Sequence, residues 1–339
     1  MATDNISYAI DIVRERLPGL KVSFYECLRD HTSFRIGGAV RAMFFPESAG
    51  EMTELFMLLD SNGVAPLVLG NGTNILADDR VLDIVVIKTA GLRGIRQTGG
   101  DGGVGVTADA CVTADAGAAA GAGATAGAET TADAEITAEA GVPLSKLAVF
   151  ACERGLTGLE TIHGIPGTLG GAVLMNAGAY GAEMKDIVIR VDAILHGTGP
   201  VTIDRRGLDF SYRHSCFSDN GGIILSSVMK LQKGDPAGIK ASMDTYASRR
   251  RESQPLELPS AGSVFKRPAD GYAGALIEQS GLKGYACGSA QVSPKHAGFI
   301  VNNGGASFSD VMAVINHIRE TVKRNTGIVL DTEIKIINR

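Results

Sequence analysis

Two stretches of this chain combine glycine with small uncharged residues in a way that could hold a phosphate. LGNGTN (69 to 74) follows VAPLVLG, which reads as a β-strand, and GIPGTLGGAVLMNAGAYG (164 to 181) has six glycines in eighteen residues and no charge. Glycine adds backbone entropy to the unfolded chain and nothing to a core, so such runs are costly in ordinary helices and strands. They do allow successive backbone N–H groups to point into one concavity, where they can hold phosphate oxygens without a lysine. The candidates are Leu69, Gly70, Asn71, Gly72, Thr73 and Asn74 in the first turn, and Gly164, Ile165, Pro166, Gly167, Gly170, Gly171, Ala177, Gly178 and Ala179 in the second. Either turn alone also fits an ordinary tight turn. Two uncharged ones in one chain favour a pyrophosphate, and hence a dinucleotide.

The rest of the composition narrows the class. A chain of 339 residues with 45% hydrophobic content is long enough for about two domains with real cores. The net charge of −5 leaves no broad basic field, which argues against nucleic acid or an anionic membrane as the main partner and requires local groups to hold any anionic ligand. Five scattered cysteines (Cys27, Cys111, Cys152, Cys216, Cys287) show no CxxC spacing, so no zinc or redox dithiol is expected and reduced thiols of a cytoplasmic protein fit best. The first twenty residues mix acids and bases where a signal peptide needs an apolar run, and no stretch is apolar enough to span a membrane.

These turns need elements to position them. Residues 1–88 read as helix, helix, strand and the first turn, then the strand VLDIVVIK. From 97 to 138 the chain is almost wholly Ala, Gly, Thr and Asp, too poor in large apolar groups for a core, and reads as a surface insertion within a second part spanning 89–235. GVGVTA within it matches GxGxxA only formally, since no apolar strand precedes it. VPLSKLAVFACERGLTGLE is a helix with Leu144, Leu147, Ala148 and Ala151 at helical spacing, and IVIRVDAILH and GIILSSVMKLQ are strand patterns. A third part, 236–325, ends in a helix with Ser309 as its expected N-cap, Val311, Val314, Ile315, Ile318 and Val322 on one face, and Gly327 as its stop. An alternating strand, IVLDTEIKII, fills the remainder, 326–339.

HTSFRIGG, LGNGTN, GLETIHGIPGTLGGAVLMNAGAYG, SYRHS, RRES, AGSVFKRP, GLKG, SPKHAGFIVN and LDTEIKII, in that order, closely resemble the UDP-N-acetylenolpyruvoylglucosamine reductase family. The resemblance covers nearly the whole chain outside the 97–138 segment. It implies an α+β fold: a two-part FAD-binding region of the vanillyl-alcohol-oxidase (PCMH) type, residues 1–88 and 89–235, and an α+β substrate-binding domain, with non-covalent FAD as cofactor and NADPH as co-substrate. It further implies that hydride passes through the flavin to the vinyl carbon of the enolpyruvyl ether of UDP-N-acetylglucosamine, in peptidoglycan synthesis.

Three site residues follow from the same motifs. Arg213 of SYRHS would hold the substrate carboxylate, a task suited to a planar fork, Ser263 of AGSVF would protonate the carbanion, and Glu333 of LDTEIKI would help stabilise charge, as the protonated acid. By pattern alone each reads otherwise: Arg213 as a solvated strand-end arginine, Ser263 as a turn former, Glu333 on the wet face of a strand. His163, His214 and His296 have no metal-ligand spacing and read as structural or solvent-facing. Lys266 and Arg267 are candidates for the substrate diphosphate, as is the run Arg249–Arg251, and Gln279 matches a substrate-contacting glutamine of the family. Only fifty positions separate Arg213 from Ser263, which resembles the shorter subclass lacking a tyrosine-bearing loop over the substrate. The rival readings are an oxidase of the same superfamily, many of which tether flavin to a His or Cys that LGNGTNILADD does not offer, and a non-catalytic nucleotide-binding protein.

Overall fold

A computed structural model describes residues 4–98 and 133–338. The first unit runs α1 (Asn5–Arg16), β1 (Val22–Phe24), β2 (Val40–Phe44), α2 (Ala49–Ser61), β3 (Leu67–Leu69), β4 (Ile75–Ala77) and β5 (Leu82–Lys88). Its sheet has the order β1-β2-β5-β3, with β2, β5 and β3 parallel. The near-continuous apolar run of β5 is what a strand buried on both faces requires. Ala42, Phe44, Val85 and Ile87 join the cluster completed by α1 and α2, while Met43 and Val86 pack with Leu69 and Ala77.

The second unit comprises β6 (Ile95–Thr98), β7 (Ala134–Glu139), α3 (Leu144–Cys152), β8 (Leu156–Thr157), α4 (Leu169–Leu174), β9 (Gly178–Ala179), β10 (Ala182–Glu183), α5 (Met184–Ile187), β11 (Val188–Leu195), β12 (Gly199–Asp204), α6 (Phe217–Asn220), β13 (Ile223–Lys233) and α7 (Pro236–Ser253). An antiparallel sheet, β12-β11-β13-β7-β6, forms its frame. Most of the composition-biased segment, 99–132, lies outside the described residues. Its two ends are paired strands: β6 and β7 align Gln97 with Ile136 and Thr98 with Glu135. Ala134, Ile136 and Ala138 are buried, so these small residues fill core space that a composition reading discounts. The helix expected over 142–160 is shorter, because Gly155 adopts φ +63° and turns the chain into β8.

The third unit holds β14 (Ser260–Ser263), α8 (Ala273–Gln279), β15 (Ala286–Cys287), β16 (Ala290–Val292), β17 (Phe299–Asn302), α9 (Phe308–Thr326) and β18 (Lys335–Ile337). Its sheet, β14-β17-β16-β15, is covered by α9, whose Val311, Val314, Ile315, Ile318 and Val322 are fully buried. The expected final strand is interrupted. Thr332 bridges to Phe265, and only β18 forms a ladder, parallel to β4 of the first unit. The alternation over 328–337 therefore serves two different partners. Among the described residues no helix is long and apolar enough to cross a membrane.

Ser307, not Ser309, caps α9. Its side chain accepts from the Asp310 amide while Asp310 accepts from the Ser307 amide, a reciprocal capping box that satisfies two otherwise orphaned donors. Ser309 sits inside the first turn with its hydroxyl 2.8 Å from that of Ser307. Ser307→Ala is therefore expected to lower the unfolding free energy by about 1 kcal/mol, and Ser309→Ala by less than about 0.5 kcal/mol, in denaturant titrations. The reverse order would place the cap at Ser309.

Candidate active site

The two glycine-rich turns meet. A Cβ on Gly70 would lie 2.4 Å from Thr168 Oγ1, and one on Gly72, whose φ is +61°, would lie 2.3 Å from the His31 carbonyl oxygen, so both positions need glycine for close approach. Gly170 is likewise pressed against Ala140. Gly167 and Gly171 differ: among the described residues, no atom outside the adjoining chain comes closer than 3.7 Å to a Cβ there, so close packing does not explain the missing side chains. The N–H groups of Asn71, Gly72, Thr73 and Asn74 have no acceptor among the described residues. In the loop leading into the second turn, Thr161 Oγ1 and His163 Nδ1 are buried without a partner among the described residues. Orphaned buried polar groups are rare in folded proteins unless a ligand satisfies them. Free amides, orphaned polar atoms and a side-chain-free wall together fit the FAD that the family carries.

Next to this cradle lies a cleft of about 930 Å³ lined by Gly178, Tyr180, Arg213, Ser263, Arg267 and Glu333, among others. Gly178 and Ala179 form β9, joined to β10 by a tight turn in which Tyr180 and Gly181 both have positive φ. Arg213 is the second corner residue of the Ser211–His214 turn, held left-handed at φ +55°. Fully buried Asn176 fastens that turn: its amide donates to the Ser211 carbonyl at 2.9 Å and to Glu183 at 3.0 Å, and its oxygen accepts from the Lys185 amide.

Arg213 Nε donates to Glu333 Oε1 at 2.9 Å, with the carboxylate side chain 14% exposed. Ser263 reaches the cleft through a β-bulge, with Gly262 at φ +75° shifting the register against β17. The Glu333 amide donates to the Val264 carbonyl at 2.7 Å, which sets Glu333 beside the Ser263 strand. On the other side, the Asn74 side-chain amide donates to the Glu333 carbonyl. Asn74, expected to touch a cofactor, thus also ties the first glycine turn to the C-terminal segment.

Burial pushes the Glu333 carboxyl above the ordinary carboxylate range, and Arg213, Lys266 and a hydrogen bond from Tyr212 offset this only in part. An acid biased toward its neutral form, a guanidinium and a free hydroxyl facing one cleft can bind a carboxylate and manage charge developing beside it.

The remaining candidates divide. Arg267 lines the cleft over the Tyr272 ring, 3.9 Å from its centroid, whereas the exposed Lys266 acts on Glu333 through its charge. Gln279 is exposed on α8 and does not line the cleft; its neighbour Glu278 does, paired with Lys283 at 2.7 Å. Of the arginine run, Arg250 turns inward against Gly164 while Arg249 and Arg251 stay exposed. His296 joins the cleft wall, and its Nδ1 accepts from the Gly298 amide. Tyr212 and Asn176 escape sequence reasoning, because only the fold brings a partner to each.

The fold and the site define a flavin-dependent oxidoreductase with FAD as its cofactor. A family model described as UDP-N-acetylenolpyruvoylglucosamine reductase, C-terminal domain, matches residues 254–337, and one described as an FAD binding domain matches 125–203. The chain is 39% identical over 328 residues to the UDP-N-acetylenolpyruvoylglucosamine reductase of Caldanaerobacter subterraneus subsp. tengcongensis (97% of each chain). It is 40% identical over 313 residues to that of Thermotoga maritima (92% of this chain, 97% of the relative). The crystal structure of the Thermus caldophilus reductase superposes with a TM-score of 0.69 at 29% identity, covering 94% of this chain and 98% of that one. The chain belongs to the UDP-N-acetylenolpyruvoylglucosamine reductase family.

The raised Glu333 titration has a consequence for stability. The folded state binds this proton more tightly than the unfolded chain, so stability falls as pH rises from the ordinary carboxylate value through the raised one. Glu333→Gln, which still offers Arg213 an acceptor, should melt at a higher temperature than wild type at pH 7 in scanning calorimetry of the apoprotein. The gain should vanish as pH falls toward about 4, where the wild-type acid is protonated in both states. A lower melting temperature at pH 7 would show that the ion pair outweighs the burial.

Proposed function

We propose that this chain reduces UDP-N-acetylenolpyruvoylglucosamine to UDP-N-acetylmuramate with NADPH, in the cytoplasm, as a step of peptidoglycan synthesis. The observation carrying this reading is that Arg213, Ser263 and Glu333, from three separated segments, line one cleft beside the cofactor cradle. In this reading residues 1–88 and 89–235 form the two FAD-binding subdomains, 236–325 the substrate domain, and 326–339 returns Glu333 to the site. Both glycine-rich turns hold the cofactor.

FAD supplies the hydride relay between NADPH and the vinyl carbon. Arg213 binds the substrate carboxylate through its planar fork and opposes the negative charge that grows there. Ser263 donates a proton to the neighbouring carbon; a hydroxyl is a weak acid, so it relies on the polarising surroundings of Arg213 and Glu333. Glu333, biased toward the protonated form by burial, shares charge with that end of the substrate. Arg267, with Lys266 behind it, meets the diphosphate. Gln279 contacts the substrate only if α8 or the ligand brings it to the cleft edge.

The test separates two half-reactions on one sample under anaerobic stopped flow. In Ser263→Ala, NADPH should reduce the flavin at near the wild-type rate, since that step needs no proton from this hydroxyl. Reoxidation by UDP-N-acetylenolpyruvoylglucosamine should fall by about 10²-fold or more, and Ser263→Cys should recover part of the loss. Wild-type reoxidation in the alanine variant would move the proton donor elsewhere, and failure of the substrate to reoxidise wild-type enzyme would overturn the proposed reaction.

A further inference from the structure

Lys88 has no place in the reaction described above, yet it occupies an unusual position. It ends β5 in register with Leu69 of β3, which sets its side chain beside the start of the first glycine turn. The residue is 8% exposed, and none of the described carboxylates pairs with it. Among the described residues its one side-chain hydrogen bond is a donation from Nζ to the Gly70 carbonyl at 2.6 Å. Lysines are seldom buried without a counter-charge, because an ammonium loses its hydration on entering the interior. Burial alone holds this one down to about 8, so it still carries its charge at neutral pH. Thr89, next in the chain, also has a buried hydroxyl without a partner among the described residues.

The geometry of one peptide connects this charge to the cradle. No peptide bond among the described residues is cis, and in a planar trans peptide the carbonyl and the following N–H point to opposite sides. With the Gly70 oxygen drawn inward to Lys88, the Asn71 N–H points outward, and it leads the four amides of the turn that lack an acceptor among the described residues. A cation on the carbonyl also polarises the peptide and strengthens that N–H as a donor.

We propose that Lys88 is a positioning residue for the cofactor's pyrophosphate: it fixes the orientation of the Gly70–Asn71 peptide and supplies a buried positive charge at the first glycine turn, whose own residues carry none. This rests on the flavin reading of the two turns. It assigns to Lys88 no contact with substrate and no part in proton transfer.

The test titrates the full-length apoprotein with FAD and, separately, with riboflavin, which carries no phosphate, following flavin fluorescence. In Lys88→Met, an apolar side chain of similar length, the FAD dissociation constant should rise about tenfold or more, the scale of a lost charge-assisted contact, while riboflavin binding stays within about twofold of wild type. The apoprotein's melting temperature should not fall, because a desolvated ammonium has been removed. Lys88→Gln, which keeps a polar donor without the charge, should show the same selective loss, and it answers the question if the methionine variant does not fold. Equal weakening of FAD and riboflavin, or unchanged FAD binding, overturns the proposal. Wild-type apoprotein that binds no FAD would instead overturn the flavin reading on which it rests.

Discussion

The short extended segment from Asp331 to Ile337 is the constraint on which the site depends. At one end Lys266 donates to the Asp331 carbonyl and Glu333 donates to the Val264 carbonyl. At the other, Lys335, Ile336 and Ile337 pair in parallel with Ile75, Leu76 and Ala77, immediately after the first glycine turn. Glu333 lies between the Thr332–Phe265 bridge and the β18–β4 ladder. Seven residues of chain thus set the distance between the first glycine turn and the third unit, and the backbone bonds on either side leave Glu333 little freedom to leave Arg213. Further links between first and third units act in the same direction: the Ser33 hydroxyl donates to the Ser260 carbonyl at 2.6 Å, and the Asn302 amide donates to the Phe34 carbonyl.

The site holds several arrangements that stability alone would not select. Arg213 sits in a left-handed conformation that a non-glycine residue adopts at some cost, and Asn176 holds the turn from a position without solvent access. Glu333 is kept away from water although its ionised form would prefer it. Arg213 and Glu333 face one cleft, and Asn176 supports its wall from within the protein. A carboxyl biased toward its neutral form beside a guanidinium is poor packing chemistry but useful acid chemistry, and the large shared core of the first two units is what can absorb such local losses.

Charge is managed locally throughout. The protein is acidic overall, and the cradle turns carry no charged side chain, so an anion must be met by amide dipoles and by a few cations brought in from elsewhere. Arg213 and Arg267 reach the cleft, Lys266 stands behind Glu333, and Lys88 lies beneath the Gly70 carbonyl. These four come from three units of the fold, and no two of the three parts of the chain could assemble the set.

The sequence by itself determined the class of elements, the apolar faces and the family. The buried stripes of α3 and α9, the strand leading into LGNGTN, and the stop at Gly327 were all legible because periodicity and glycine report local geometry directly. The resemblance carried Arg213, Ser263 and Glu333, which pattern alone would have left as a wet arginine, a turn serine and a surface glutamate. What only the tertiary structure decided was partnership. That Gly70 faces Thr168, that one arginine of three turns inward, that Lys88 bonds to a glycine carbonyl, and that an alternating C-terminal segment divides between a bridge to Phe265 and a ladder with β4 are contacts across tens to hundreds of residues. Such contacts leave no local periodicity, because the chemistry of a side chain is set by what the fold places beside it.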